Sequence, residues 1–479
     1  MQMILDGIMA FTNWLWGIPM LIWVVGGGIV MSVRLGFPQF TKLGFILKNT
    51  IGKSFGQKTE EGKISGFKAV TGALASTLGA GNIIGTAMAI AYGGPGGVFW
   101  LWLSGLFCSI VKYCETTMSM KYRHLNPEGE WEGGPQFYLT EGTGWKWISP
   151  VYAVICIVCL FLAASAQIGS GVDNLVGLGT PRLATTVVLT ILVGIVVIGG
   201  IRSLLNVTEK LVPLMSAMYM IGCVIVILMN VQNLPAAVGS IFAGAFTGRA
   251  AIGGFAGAVV TQSIRWGVAR GCFSNDAGTG VTTILHAVAD VNHPIQQSMW
   301  AVFEVFFDTI VVCTMTCLVI LTTGVWTEPI DAAVMTSTAF QSALGTGGGL
   351  LVTISVVLFT FTTACAQIEF IEAMFRRYVG EHAGHASRWL MLGLILGGGL
   401  IGISALISYV DFFAGLYTLV NLLGVYWCGK QIVDLTREYF ADPVKWEREM
   451  WPKWEEMKNS FARTHASQNK REHRNHAAG

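Results

Sequence analysis

Charge is scarce in this chain. Only 12% of its 479 residues are Asp, Glu, Lys or Arg, against about 25% in a soluble domain. That shortage excludes an ordinary water-soluble fold. The formal net charge of +2 leaves no basic field to attract nucleic acid. There is no Gly-rich loop ending in Gly-Lys-Ser/Thr, which argues against an ATP-driven pump. Metal, nucleophile and cofactor fingerprints are missing too, so an enzyme has no sequence support. The N-terminus has neither a basic leader nor a small-residue cleavage site, so residues 11–33 read as a retained membrane helix rather than a signal peptide. Ten cysteines lie almost entirely in apolar runs. Cys156 and Cys159 form a CxxC without further ligands nearby, and they read as small core hydrophobes.

What is present is apolar surface. Hydrophobic residues make up 53% of the chain, and the mean hydropathy is +0.59. The apolar runs reach twenty residues or more, enough to cross about 30 Å of hydrocarbon. The fold class is therefore an all-α polytopic membrane protein. Eleven spans are expected, at about 9–33, 66–93, 95–120, 147–171, 183–201, 207–231, 250–275, 296–324, 348–375, 387–409 and 411–429. Lysine and arginine collect on the cytoplasmic side of such proteins. Placing the N-terminus outside puts Lys42 to Lys63, Lys121, Arg123, Lys146, Arg202, Lys210, Arg376, Arg377, Arg388 and the tail from Lys430 inside. The outer loops then hold little beyond Arg182 and Arg249. The expectation is a multi-pass protein of the cell (cytoplasmic) membrane with its C-terminus in the cytoplasm. Its expected partner is the lipid bilayer; no nucleic acid and no obligatory protein partner is indicated. Segments 234–247 and 330–345 read as short outer helices. The Trp-rich stretch "DPVKWEREMWPKWEEMKNSFARTH" reads as an amphipathic interfacial helix, and "ASQNKREHRNHAAG" as disordered.

Setting the first span aside leaves two groups of five. Five is odd, so the second group enters from the opposite face: an inverted repeat follows from counting. The expected organisation is an N-terminal helix and amphipathic segment (1–64), a first five-helix repeat (65–232), an outer connection (233–249), a second repeat (250–429) and a tail (430–479). Both repeats open on an interrupted segment. In the first, "ALASTLGAGNIIGTAMA" carries Ser76, Thr77, Gly79, Gly81 and Asn82. In the second, Thr261, Gln262, Ser263 and Gly267 interrupt "AAIGGFAGAVVTQSIRWGVARGCFSN". Matched interruptions of this kind point to a transporter's binding site. A broken helix bares N–H groups on one half and C=O groups on the other, and in hydrocarbon each costs several kcal/mol unless paired. Half-helix N-termini favour a carboxylate, and free carbonyls favour a cation. Other glycine runs, "GGG" at 26–28 and "LGGGLIG" at 396–402, read as close helix packing.

"ALASTLGAGNIIGTAMAIAYGGPGGVFWLW", "EGGPQFYL", "GVARGCFSNDAGTG", "HP" at 293–294 and "FEVFFDTIVVCTMT" resemble, in order, the motifs of the alanine or glycine:cation symporter family, the sodium–amino acid symporters. The resemblance covers roughly residues 10 to 430. It implies a leucine-transporter (LeuT) type fold, a 5+5 inverted repeat with one extra N-terminal helix. The function it implies is a secondary active symporter for an amino acid, with Na⁺ as the co-transported ion. By the same resemblance, the amides of Gly79, Ala80 and Gly81 receive the substrate carboxylate and Asn82 closes the break. Thr77 falls in the same stretch. Gln167 falls at a pocket position, with Ser170 and Asp173 in register, although a helix-packing role also suits Gln167. Thr261, Gln262 and Ser263 would line the second break. For Na⁺ the fold implies carbonyls of Ala75 and Leu78 with hydroxyls of Thr362 and Thr363; such threonines also bond their own helix backbone.

After those threonines the family has a Gly-Trp pair and then tyrosines. Here stand Ala366, Gln367, Ile368, Glu369 and Phe370, with only Glu372 in step. The loss of that aromatic wall opens the substrate range from alanine or glycine to a longer, polar amino acid. Gln367 reads as a pocket residue, and Glu369 either as a pocket residue or as facing protein. Glu304 and Asp308, spaced i, i+4, are intramembrane carboxylates. They read as an ionic lock with Arg265 or Arg270 near the inner gate, with proton coupling as the competing reading. Lys112 and Glu115 read as interfacial. His286 and His293 read as inner-loop residues, near neither each other nor a carboxylate pair in sequence, which gives a metal site there little support. Proton-coupled transport is the alternative function; a membrane-embedded enzyme or a channel ranks below it.

Overall fold

The computed structural model describes residues 2–54, 63–247, 256–401 and 407–463. The stretch expected to be disordered, 466–479, and the join at 248–255 lie outside the described residues. The chain is helical nearly throughout and forms an all-α polytopic membrane protein. Among the described residues seven helices are long and apolar enough to cross a membrane, eight when one bent pair counts as a single span.

The elements are α1 (Asp6–Leu35), α2 (Gly66–Thr77), α3 (Gly81–Gly93), α4 (Gly96–Lys121), α5 (Ile148–Val176), α6 (Arg182–Ile198), α7 (Gly200–Met229) and α8 (Leu234–Phe246). There follow α9 (Ala256–Asn275), α10 (Thr283–Ala287), α11 (Pro294–Thr323), α12 (Ala332–Leu344), α13 (Thr346–Tyr378), α14 (Glu381–Ile401), α15 (Ile407–Trp427) and α16 (Gly429–Ala441). Two short strands, His124–Leu125 and Trp131–Glu132, pair antiparallel after α4. The helix ends follow local chemistry. Ser65 caps α2 by accepting from Lys68 N. His293 and Gln296 make a reciprocal cap for α11, with Pro294 at its first position. Gly324, in the left-handed region, ends α11.

α2 and α3 are the bent pair, meeting at 60° across Leu78–Ala80. The second leader corrects expectation. α9 runs unbroken through Thr261, Gln262, Ser263 and Gly267. Its glycines serve packing instead: a Cβ on Gly267 would lie 2.3 Å from Gly97 O, and one on Gly271 2.1 Å from Ser104 Oγ. The interruption falls later, at 276–282, between α9 and α10. Here Asp276, Gly278 and Gly280 all take positive φ (53°, 92° and 79°).

The tail docks on the protein. Trp454 and Trp446 are buried. The buried guanidinium of Arg123 sits between the rings of Trp131 and Trp454, 4.0 and 3.7 Å from their centroids. Trp451 N donates to Asn292 O at 2.7 Å. His293 packs against Tyr439 and Trp446, and burial pulls its imidazole down to about 3. The loop ahead of α11 is tied in turn to the foot of α2: Asp290 N donates to Ile64 O at 2.7 Å and Ile64 N to Asp290 Oδ2 at 3.0 Å.

Candidate functional site

A cavity of about 1110 Å³, its open mouth included, lies where the two interruptions meet α5, α13 and α15. Ser76, Thr77, Gly79, Ala80 and Gly81 line it from the first interruption, and Phe273, Ser274 and Asp276 from the second. Gln167 and Ser170 of α5, Thr363 and Gln367 of α13 and Tyr417 of α15 complete the wall. Gly79 sits in close approach to two of these side chains: a Cβ there would lie 3.0 Å from Thr363 Oγ1 and 3.3 Å from Gln167 Nε2.

At this break three oxygens converge. Thr363 Oγ1 donates to Ala75 O at 3.0 Å, and Leu78 O lies 3.3 Å away. Two carbonyls released from the helix ladder and one hydroxyl form a hard-oxygen set that suits an alkali cation. Thr362 does not join them. Its hydroxyl bonds Phe359 O (3.0 Å) and Leu358 O (3.2 Å) of its own helix, because adjacent helical residues point about 100° apart. Across the break, Gly79 N donates to Asn82 Oδ1 at 3.0 Å. Ala80 and Gly81 begin the second half-helix, where amides have no carbonyl one turn back. Buried Asn82 also donates to Ser274 Oγ (3.0 Å) and Asp308 Oδ1 (2.7 Å), knitting the two interruptions together.

The remaining expected residues are placed as follows. Thr261 and Gln262 are exposed, and Ser263 bonds Gly93 O, so none of the three lines the cavity. Asp173 pairs with Arg182 at 2.5 Å, outside the cavity. Arg270 lines the cavity but pairs with Asp411 at 3.2 Å, not with Glu304 or Asp308. Arg265 bonds Asn13 Oδ1. The expected lock between these arginines and the α11 carboxylates is therefore absent among the described residues. Glu304 and Asp308 do not share a partner either, since a π-helical stretch, Phe306–Cys313, starts between them and re-aims the second. Glu369 lines a second cavity of about 420 Å³ with Arg376, Glu130 and Glu132, and is not among the residues lining the first.

Sequence reasoning missed a buried ionic network. Lys112 and Glu115 are fully buried, not interfacial. Lys112 Nζ donates to Asn275 O (2.9 Å) and pairs with Glu304 (3.4 Å). His286 Nε2 lies 2.7 Å from Glu304 Oε2, a carboxylate 18 residues further along the chain. Asn421 Nδ2 donates to Glu115 Oε1 (2.5 Å) and to Gly278 O (2.8 Å). Asp276, also missed, has a cue in the sequence: it stands among glycines in "NDAGTG".

A cavity between interrupted helices of a polytopic membrane protein, with backbone donors and acceptors turned toward it, is the arrangement of a membrane transporter. The chain belongs to the sodium:alanine symporter family, whose model matches residues 1–451. It is 36% identical to "Uncharacterized transporter YflA" of Bacillus subtilis over 446 residues, covering 92% of this chain and 94% of that protein. It is 34% identical to "Sodium/alanine symporter AgcS" of Methanococcus maripaludis over 442 residues, 89% and 95% of the two chains. To "Probable sodium/glutamine symporter GlnT" of Bacillus subtilis it is 29% identical over 457 residues, 92% and 91% of the two chains.

Proposed function

We propose that this protein takes up an amino acid together with Na⁺ by alternating access. The substrate is alanine- or glycine-like, or a somewhat larger polar amino acid admitted where Gln367 stands. The observation that carries the reading is the convergence of Ala75 O, Leu78 O and Thr363 Oγ1 at the first break. Na⁺ enters as cargo on those three oxygens and fixes α2 against α13. That fixes the amides of Ala80 and Gly81, with Thr77, Asn82, Gln167 and Gln367 around them, for the substrate. The architecture we assign is eleven spans in a LeuT-type 5+5 inverted repeat, in the cytoplasmic membrane, with the N-terminus outside and the tail inside. In that orientation the Arg270–Asp411 pair lies toward the outer mouth of the cavity.

The test is uptake of labelled amino acids into proteoliposomes. An inward Na⁺ gradient should drive accumulation of at least one amino acid above its outside concentration. Equal uptake with and without the gradient would overturn sodium coupling. The competing reading, proton coupling, draws on the contact between Asp308 and Asn82 of the first break. It would be selected by accumulation in sodium-free buffer under a pH gradient.

A further inference from the structure

α13 carries two lining faces. Thr363, Gln367 and Phe370, spaced i, i+4, i+7, line the first cavity. Glu369, Ala373 and Arg376 repeat that spacing six residues on and line the second. Six residues advance a helix by about 9 Å and turn it by about 240°. The second cavity is therefore a separate place, nearer the C-terminal end of α13, and the proposed function makes no use of it.

Its facing wall comes from the "EGGPQFYL" stretch, through Glu132, Gly133 and Gln136. Gln136 is 2% exposed. Its Nε2 donates to Gly133 O at 3.0 Å, and its Oε1 has no partner. Gly134 leaves room for that oxygen: its φ is 126°, and a Cβ there would lie 2.5 Å from Gln136 Oε1. Glu369 is also 2% exposed, and its Oε1 is likewise without a partner. Among the described residues no ion pair reaches it. The arginines around it are engaged elsewhere. Arg376 pairs with Glu132 (2.5 Å) and Glu372 (3.2 Å), Arg388 with Glu372, and Arg202 with Glu130 (2.5 Å). Arg377 lies over the Phe137 ring, 4.6 Å from its centroid.

Two buried acceptors on two walls are thus left open, one of them a carboxylate without a cation of its own. Burying a charge costs several kcal/mol unless an opposite charge accompanies it. A hard cation supplies that charge and completes the amide oxygen as well. Single charge matches the single surplus carboxylate. Among the described residues no group of three His, Cys, Asp or Glu could hold a metal ion, so a multivalent metal would find too few ligands here.

We infer that the cavity between Glu369 and Gln136 binds an alkali cation, at a site distinct from the oxygens of Ala75, Leu78 and Thr363. The cation joins α13 to the 132–136 segment beside Ile284 and Val288, which follow the second interruption and line the same cavity. The inference goes beyond the proposed function. In the orientation assigned there, the site lies at the cytoplasmic end of α13.

The experiment is equilibrium binding of labelled Na⁺ to the purified full-length protein, without amino acid, with choline chloride holding the ionic strength constant. Glu369→Gln should bind about one ion per chain fewer than wild type, its half-saturating concentration for that ion rising at least about tenfold. Gln136→Leu keeps the charge and removes one oxygen, so it should weaken the same ion several-fold. Thr363→Val should weaken a different ion, and the binding it retains should be lost on adding Glu369→Gln. Unchanged sodium binding in both Glu369→Gln and Gln136→Leu overturns the inference. So does displacement of the Glu369-dependent ion by micromolar Mg²⁺ or Ca²⁺, which would make the site one for a divalent metal. A Glu369-dependent shift of Tm with pH but not with Na⁺ also overturns it and assigns the carboxyl group to a proton. If Thr363→Val alone leaves binding untouched, the proposed sodium site fails while the Glu369 site stands on its own count.

Discussion

The two helix interruptions solve the same problem in opposite ways. Each frees carbonyls that hydrocarbon would punish. At the second, the protein supplies the donors itself. Lys112 bonds Asn275 O, Asn421 bonds Gly278 O, and the Tyr152 hydroxyl bonds Thr279 O at 2.6 Å. At the first, Ala75 O and Leu78 O meet a single hydroxyl, which has lone pairs of its own to offer an incoming ion. An ammonium built into the chain occupies one break, and the other is left to be completed. The comparison teaches that a broken helix marks a ligand site only after the side chains facing it have been counted.

The comparison can be broken from the closed side. Lys112→Met should have the largest effect, because it leaves Glu304 buried without its cation and Asn275 O without a donor. Removing one partner of a buried pair costs about 3–5 kcal/mol. A thermal-shift measurement in detergent should show a steep loss of Tm and of folded yield, with partial recovery in Lys112→Met/Glu304→Gln. A Tm equal to wild type would mean that the second break does not depend on the ammonium. Asn421→Leu comes next. It strips the donor from Gly278 O and Glu115, at about 1–3 kcal/mol for each unsatisfied group. The Tm should fall less than in Lys112→Met, and sodium affinity should be kept. A lost sodium response with an unchanged Tm would reverse the roles of the two breaks.

How much of this was legible follows the same division. The first break was readable because Gly79, Gly81 and Asn82 interrupt an apolar run that leucine or valine would hold better. The second was misplaced because Gly267 gives the same signal for another reason, the close approach of α4. The true interruption looked like an ordinary polar loop. Lys112 and Glu115 were misread because their partners, Asn275, Glu304 and Asn421, lie far along the sequence and no spacing rule reaches them. The choice between Thr362 and Thr363 needed the phase of α13 against α2, which neighbouring residues do not encode. In the tail, the tryptophans signalled an amphipathic segment but not that Arg123 and His293 would receive it.

The central claim is that the first break is held open for Na⁺ by Thr363 and not by its neighbour. Sodium titration of substrate binding, in purified protein carrying Thr363→Val or Thr362→Val, tests it most directly. Valine at 363 keeps the side-chain volume and removes one of the three oxygens proposed to hold the ion, so the half-saturating sodium concentration should rise about tenfold or more, the equivalent of about 1.4 kcal/mol. Valine at 362 loses only a bond to its own helix and should shift that concentration by less than about twofold. Equal shifts in the two variants, or none in either, would contradict the account.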